Sequence, residues 1–419
     1  MPAHGKLKEL EDTVRRTYLL ADPYITKFLV AEMITQNLAC DPAWSVIIAP
    51  PGGGKSEFVN MLSQCLNVHA ISTLTARTFV SGQRTTGHKD VSLLTKIQNG
   101  IITFKDMTSL LSENRDEQSI IMAQLREIFD GKYNKLYGTG EEVAWKGKIT
   151  IVAGATYKIH RLRQNYAAMG ERFLFYNFIQ PNSIEAARRN MENQEAGIMA
   201  ERRAELAKLW HTYIDETLKY PKTLPPLHTD LQNELLDLAE LATRARSETE
   251  RNWRSPQQEI IDVPPVEIPT RFAGSLMAIA NALKVINWNE TGSFELLPED
   301  KKILYKISLD SITRSKRIAM QELAKYDVLQ TAGLATKLGF PTNTVRRWLE
   351  DLVALEVAVR EIGSGPRGDR WTILPKYRLL IEKYEGIARE NHELIETKSD
   401  PQAMEEELEA LSTSTSTGE

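Results

Sequence analysis

Cysteine is nearly absent: Cys40 and Cys65 are the only two among 419 residues. Two thiols cannot build a disulfide framework or a four-thiolate zinc site, which points to a reducing compartment. No apolar run is long enough to span a bilayer, and Met1 to Thr13 is too polar for a secretory leader, so a cytoplasmic protein without a membrane anchor is expected. The seven histidines, His69, His88 and His160 among them, are scattered, with no His-Glu-x-x-His spacing. A Gly-x-Ser-x-Gly elbow is also missing, so zinc-peptidase and serine-hydrolase chemistry find no support. An excess of one charge is lacking as well: 52 Lys and Arg face 56 Asp and Glu, a net of −4. That excludes a uniformly basic nucleic-acid coat but leaves room for a local basic face.

What is present is ordinary globular material, 42% hydrophobic and 26% charged, in a length that suits two or three domains. Leu7 to Leu38 carries apolar residues at helical spacing with a break at Pro23. Three short apolar runs follow, Trp44 to Ile48, Gly100 to Phe104 and Ile149 to Ala153, with helical stretches between them. Strands alternating with helices predict a largely parallel α/β sheet. Ser183 to Arg254 reads as charged helix interrupted by prolines at 221–226, and Thr270 to Val285 as an apolar helix. The end, Thr397 to Glu419, holds six acidic residues, one lysine and a Ser/Thr run, a composition expected to stay disordered. No internal repeat is visible.

The first strand runs into Ala49-Pro50-Pro51-Gly52-Gly53-Gly54-Lys55-Ser56, and helix resumes at once. This is Walker A spacing with Ala49 in place of the first glycine. Strand before and helix after are the context in which glycine-rich backbone amides and a helix N-terminus cradle phosphate. The cradle is expected to run from Pro50 and Pro51 through Gly52, Gly53 and Gly54 to Lys55, Ser56 and Glu57. Lys55 is placed to reach the β- and γ-phosphates of ATP, and Ser56 to bind Mg²⁺. Asp106, closing the second apolar run, is the natural magnesium partner. Lys105 precedes it and Met107 follows, so no acidic neighbour stands beside it. Either Asp106 holds the metal and the base lies elsewhere, or Asp106 takes the base position itself.

With that loop in view, Ile102-Thr103-Phe104-Lys105-Asp106-Met107-Thr108-Ser109-Leu110-Leu111, Leu125-Arg126-Glu127-Ile128-Phe129-Asp130-Gly131, Trp145-Lys146-Gly147-Lys148 and Gly170-Glu171-Arg172-Phe173 resemble segments of a family. It is the AAA+ ATPases of phages, plasmids and integrative elements, often helicase-like. More distantly the chain is similar to minichromosome-maintenance and D5-type helicases. The resemblance covers roughly residues 20 to 290. It implies sensor 1 at Thr156, an arginine finger at Arg172 acting on a neighbouring subunit's nucleotide, and a sensor 2 arginine at Arg271. It also implies a homo-oligomer, a ring or open helix, because a finger in trans cannot serve its own subunit. In the helicase-like branch a hairpin before the sensor 1 strand points into the pore. Here the stretch from Lys132 to Lys148 reads as two short strands about Gly138-Thr139-Gly140. Lys132, Lys135, Lys146 and Lys148 would then face DNA phosphates, with Tyr133 and Tyr137 as stacking groups. A solvated surface hairpin is the alternative.

Beyond residue 311 the texture changes. Val328 to Phe340 and Thr344 to Ala358 read as two helices about Gly339-Phe340-Pro341, and two short strands flank the glycine-rich 363–368. The layout resembles winged helix-turn-helix domains. Residues 313–380 hold twelve Lys and Arg against seven Asp and Glu, a local excess of +5. Arg346 and Arg347 on the second helix, with Arg367 and Arg370 at the wing, are the candidate DNA contacts. Docking of a protein is the other use of such a module.

The expected organisation is thus an N-terminal helical segment (1–40), an α/β P-loop AAA+ core (41–180), a helical lid and connector (181–300), a winged-helix domain (311–380) and an acidic tail (381–419). The expected activity is ATP hydrolysis by a DNA-binding oligomer. The two uses open to it are a helicase or translocase of a mobile element and a non-motor switch or loader that recruits a partner.

Overall fold

The computed structural model describes residues 5–18, 22–65, 67–80, 92–136, 142–160, 172–178, 183–195, 197–252, 254–255, 258–363 and 368–384. Helices α1 (Lys6–Tyr18) and α2 (Ile25–Thr35) lead, separated at Pro23 as the sequence predicts. Strand β1 (Trp44–Ile48) enters α3 (Lys55–Leu62), followed by β2 (Val68–Ile71), the short α4 (Leu93–Lys96) and β3 (Asn99–Phe104). A 3-10 turn at Met107–Ser112 leads into α5 (Arg115–Phe129), the hairpin β4 (Lys132–Leu136) and β5 (Glu142–Lys146), then β6 (Lys148–Ala155) and β7 (Phe173–Asn177).

Five of these strands form one parallel sheet in the order β2-β3-β6-β1-β7. The architecture is mixed α/β about a central parallel sheet, compatible with a Rossmann or P-loop-like core. Both faces are covered, which is why the inner strands are unbroken apolar runs. Alternate residues go to opposite faces. Ile47, Val152, Leu174 and Tyr176 pack with α2 and α3 on one side. Val46, Ile48, Ile151 and Phe175 pack with α5 and the hairpin's Tyr133 and Trp145 on the other.

Next come α6 (Ser183–Glu195), α7 (Met199–Thr217) and α8 (Thr229–Arg246), the two-strand pair β8 (Glu250–Arg251) and β9 (Ile260–Asp262), and α9 (Thr270–Thr291). Helix α10 (Pro298–Asp310), in the interval between the two expected C-terminal divisions, lies against β7. Among the described residues, no sixth strand lies beside the edge strand β7. Instead its outer amides donate to α10 and the residue after it, Asn177 N–H to Asp310 Oδ2 at 2.9 Å and Phe175 N–H to Ser311 Oγ at 3.0 Å. This hides an edge that would otherwise template further pairing.

The C-terminal part comprises α11 (Arg314–Ala324), β10 (Leu329–Gln330), α12 (Thr331–Leu338), α13 (Thr342–Ala354), β11 (Ala358–Glu361) and β12 (Arg370–Ile373). Its three strands form an antiparallel sheet in the order β10-β12-β11, with Trp371 fully buried and its indole N–H on Thr331 Oγ1 at 2.8 Å. The turn from α12 to α13 passes through Gly339 at φ 70°, a left-handed position that suits glycine. This part does not close a core of its own: one apolar cluster runs from Leu7 through α2, α8 and α9 to Trp371 and Tyr384. Asp310, Lys306 and Arg317 form a buried ionic knot between α10 and α11, with Asp22 and Tyr384 beside it. Among the described residues, no helix is long and apolar enough to cross a membrane.

Candidate nucleotide site

At the end of β1 the Ala49 N–H donates to Ala155 O at 3.1 Å, so the strand pairing persists up to the first residue of the loop. The chain then turns through Gly52 at φ 77° and Gly54 at φ 85°, conformations that a side chain resists. Gly53 is required for space: a Cβ there would sit 3.0 Å from Pro50 O and 3.1 Å from Ala49 Cβ. Gly54 caps α3 without any side-chain hydrogen bond, which leaves the first-turn amides facing the loop.

Lys55 opens that helix and is 7% exposed. Its stem passes Gly154, where a Cβ would lie 3.6 Å from Lys55 Cδ and 2.6 Å from Lys105 O. Among the described residues its ammonium has neither ion pair nor hydrogen bond. The lysine is thus largely covered and without a counter-charge among the described residues, beside a turn lined by glycine backbone. Ser56 is exposed at the same helix start.

Asp106 and Thr156 stand at the C-terminal ends of β3 and β6, and β6 is the neighbour of β1. Thr108, in the turn after β3, ties them together. Its N–H donates to Asp106 Oδ1 at 2.9 Å, its Oγ1 accepts the Thr156 N–H at 2.8 Å, and the two threonine hydroxyls lie 3.2 Å apart. All three are half-buried. Carboxylate, hydroxyls and glycine-rich loop therefore stand at the same end of the sheet, at the C-terminal ends of its strands, where α/β sheets bind ligands. No family model matches the sequence, and no curated protein matches it either.

Two residues at this site escaped the sequence reading. Thr108 had no signal beyond its nearness to Asp106. Arg203, on α7, clasps Glu57 through two bonds, Nη2 to Oε1 at 2.8 Å and Nε to Oε2 at 3.0 Å. Glu57 is thus engaged by the helical part and not turned to the cradle. Burial, with Glu57 near by, pushes the neighbouring Tyr18 hydroxyl up to about 12.

Arg172 lies at the far end of the sheet. Arg172 immediately precedes β7, whose first residue pairs with Trp44 at the start of β1. The length of β7 separates it from its own phosphate loop, roughly 15–20 Å at the rise of a strand. Its guanidinium is largely covered, 3.5 Å from Asp130 Oδ1 and over the Phe129 ring. Burial lowers its pKa, with Asp130 opposing. Arg271 opens α9, whose far end meets the first turn of α2 through Asn287 and Lys27, while the last turn of α2 is held by Lys148 at the start of β6, so Arg271 lies at the same end of the sheet as Arg172.

The hairpin forms as expected, with Lys132 directly opposite Lys146 and both exposed. Lys135 is half-buried. Lys148 is a correction: its ammonium donates to Thr35 O at 2.6 Å and Leu38 O at 2.8 Å, capping the end of α2, and burial pulls its pKa down. It is a structural cation, not a phosphate contact. Tyr133 is likewise buried, 7% exposed, which leaves no ring face for a base. Tyr137, the glycine turn, Gly170, Glu171 and Arg367 lie outside the described residues.

In the C-terminal part the charge excess is smaller at the surface than in composition. Lys316 is buried beside Glu248, and Arg317 is held by Asp310. Arg346 pairs with Glu350 at 3.6 Å in a cleft shared with Glu259 and Ile260 of the connector, so it too is less free than its spacing implied. Arg251, on β8, clamps the same helix by binding Asp351 at 2.6 Å, Glu350 at 3.1 Å and Arg347 O at 2.8 Å. Arg347 itself turns toward the start of α13, onto Asn343 O and Thr344 Oγ1. Arg370 is exposed opposite Glu361.

Proposed function

We propose that the chain is an ATPase of the AAA+ kind that works as an oligomer on DNA. The observation that carries this is Lys55: a largely covered lysine whose ammonium meets no counter-charge among the described residues, beside a glycine-lined turn and across from Asp106, Thr108 and Thr156. A triphosphate supplies the counter-charge that the ammonium lacks. The Ser56 hydroxyl and the open oxygen of Asp106 suit Mg²⁺, which needs few protein ligands when phosphates supply others. When bound, the metal would neutralise charge on the phosphates. Thr108 holds Asp106 and Thr156 in a fixed relation, and Arg172 faces away from its own loop, as a residue serving a neighbour must. Under this reading the C-terminal part is a winged helix whose Arg347 and Arg370 meet DNA backbone.

Calorimetric titration with Mg·ATP tests the central claim. One nucleotide per chain in the intact protein and none in Lys55→Ala is the expected result; no uptake by the intact protein overturns it.

How turnover is used has two readings. The resemblance favours a helicase or translocase. The hairpin favours a non-motor switch or loader, since Lys148 is engaged elsewhere and Tyr133 is buried, which leaves Lys132 and Lys146 as its exposed cations. Strand displacement by the purified protein with ATP separates them: unwinding supports the motor, and ATP-dependent assembly on DNA without unwinding supports the switch.

A further inference from the structure

We infer that Arg251, which lies outside the helix-turn-helix, is a positioning residue for DNA: it takes up the carboxylates of α13 and so leaves Arg347 to phosphate. This rests on the DNA reading above and adds a strand pair of the connector to the binding unit.

The charges of α13 sum to zero. Arg346 and Arg347 stand one helical turn before Glu350 and Asp351, and the helix holds no other charged residue. That is the spacing at which residues of a helix pair with each other. Arg346 does pair with Glu350, at 3.6 Å. Asp351 is instead held by Arg251, whose Nη2 and Nε reach its Oδ1 at 2.6 and 3.1 Å, and the Thr249 hydroxyl donates to the same oxygen at 2.6 Å. Arg251 Nη1 reaches Glu350 Oε2 at 3.1 Å. Its remaining N–H groups go to Gln258 O and Arg347 O, both at 2.8 Å.

All five donors of the Arg251 guanidinium are thereby used and its side chain is 3% exposed, so it is not itself a phosphate contact. Its part is to arrange charge. Arg347, relieved of Asp351, folds back to Asn343 O and Thr344 Oγ1 near the start of the helix. Thr342 and Asn343 are exposed there, whereas every later residue of α13 is half-buried or buried. The acidic end of the helix is thus under the connector and its first turn is open, the part that meets base edges in helix-turn-helix proteins. Without Arg251, a phosphate brought to α13 would meet a carboxylate one turn from each arginine, and the net charge that draws DNA would be gone.

Titration of the full chain onto a labelled mixed-sequence duplex, followed by fluorescence anisotropy at about 0.05 M and about 0.3 M salt, decides the matter. Arg251→Gln removes the charge and should weaken binding ~10-fold at the lower salt, the gap narrowing to about 3-fold or less at the higher, where charges are screened. Arg251→Lys also loses the fork but keeps the charge, and should stay within about 3-fold of the wild type at both. Adding Glu350→Gln and Asp351→Asn to Arg251→Gln removes the acids left over and should restore binding. The triple variant also serves if Arg251→Gln alone does not fold. A role confined to holding the fold predicts otherwise: the two single variants weaken binding alike, and by the same factor at both salts. That result overturns the proposal, as does wild-type affinity in Arg251→Gln or failure of the triple variant to recover it. If the wild type itself binds no duplex, the DNA reading fails and this inference falls with it.

Discussion

Replacing Thr108 with valine tests whether the site is held as a unit. The substitution preserves size and the backbone N–H that binds Asp106 Oδ1, but it removes the oxygen that accepts the Thr156 N–H at 2.8 Å and lies 3.2 Å from the Thr156 hydroxyl. Two half-buried hydrogen bonds at about 0.5–1.5 kcal/mol each give a stability loss of about 1–3 kcal/mol. The effect on turnover follows from position. If Thr156 senses the γ-phosphate, releasing it should raise the barrier by about 1.4 kcal/mol, a tenfold fall in kcat. KM for Mg·ATP should change little, because Lys55 and the glycine cradle are untouched. Steady-state ATP hydrolysis, read beside urea unfolding, measures both quantities. Thr108→Ser restores the oxygen and should recover most of the rate. Wild-type kcat in Thr108→Val, or failure of serine to recover it, would refute the coupling of Asp106 to Thr156 through this residue.

Lys55→Met keeps the covered stem and removes the charge, so in urea unfolding the protein should lose any stabilisation by Mg·ATP while its stability in phosphate-free buffer changes by less than about 1 kcal/mol. Arg251→Ala breaks a buried pair with Asp351 and Glu350 and should cost about 3–5 kcal/mol, with α13 becoming the first site of proteolytic cleavage. Glu11 supplies a pH dependence: burial raises its pKa from 4.5 to about 7, with Lys27 and Arg15 partly offsetting the rise. A raised carboxyl pKa means the folded state prefers the neutral acid, so its contribution is fully present below pH 4.5 and lost as pH climbs through about 7. Glu11→Gln should therefore match wild-type stability near pH 4 and exceed it by about 1–3 kcal/mol at pH 8, in thermal or urea melts.

The parts legible in the sequence are those whose cause is local. Trp44 to Ser56 could be read because an apolar run, three glycines and a helical period sit within a dozen residues. The hairpin could be read because its alternation is local too. Strand β2 went unseen because three of its four residues are only half-buried, Ala70 is exposed, and they carry no apolar run. The role of Lys148 was hidden because its partners, Thr35 and Leu38, are more than a hundred residues away. The same holds for Arg203 on Glu57 and Arg251 on Asp351: a guanidinium on a charged helix or short strand looks solvated until tertiary packing brings its carboxylate. Helix α10 went unassigned because its first turn is polar, and only tertiary packing against β7 gives its later residues a role.

The covered edge of β7 bears on how the protein can be dissected. Removing everything after residue 313 would take Arg317 from Asp310, the very carboxylate that receives the Asn177 amide, a single residue before the Phe178 ring that packs near Gly54. A truncated chain would carry its injury into the glycine-rich loop. Loss of nucleotide uptake in such a fragment therefore says nothing about whether the missing part touches nucleotide, and single substitutions on the outer face of α13 are the sounder instrument.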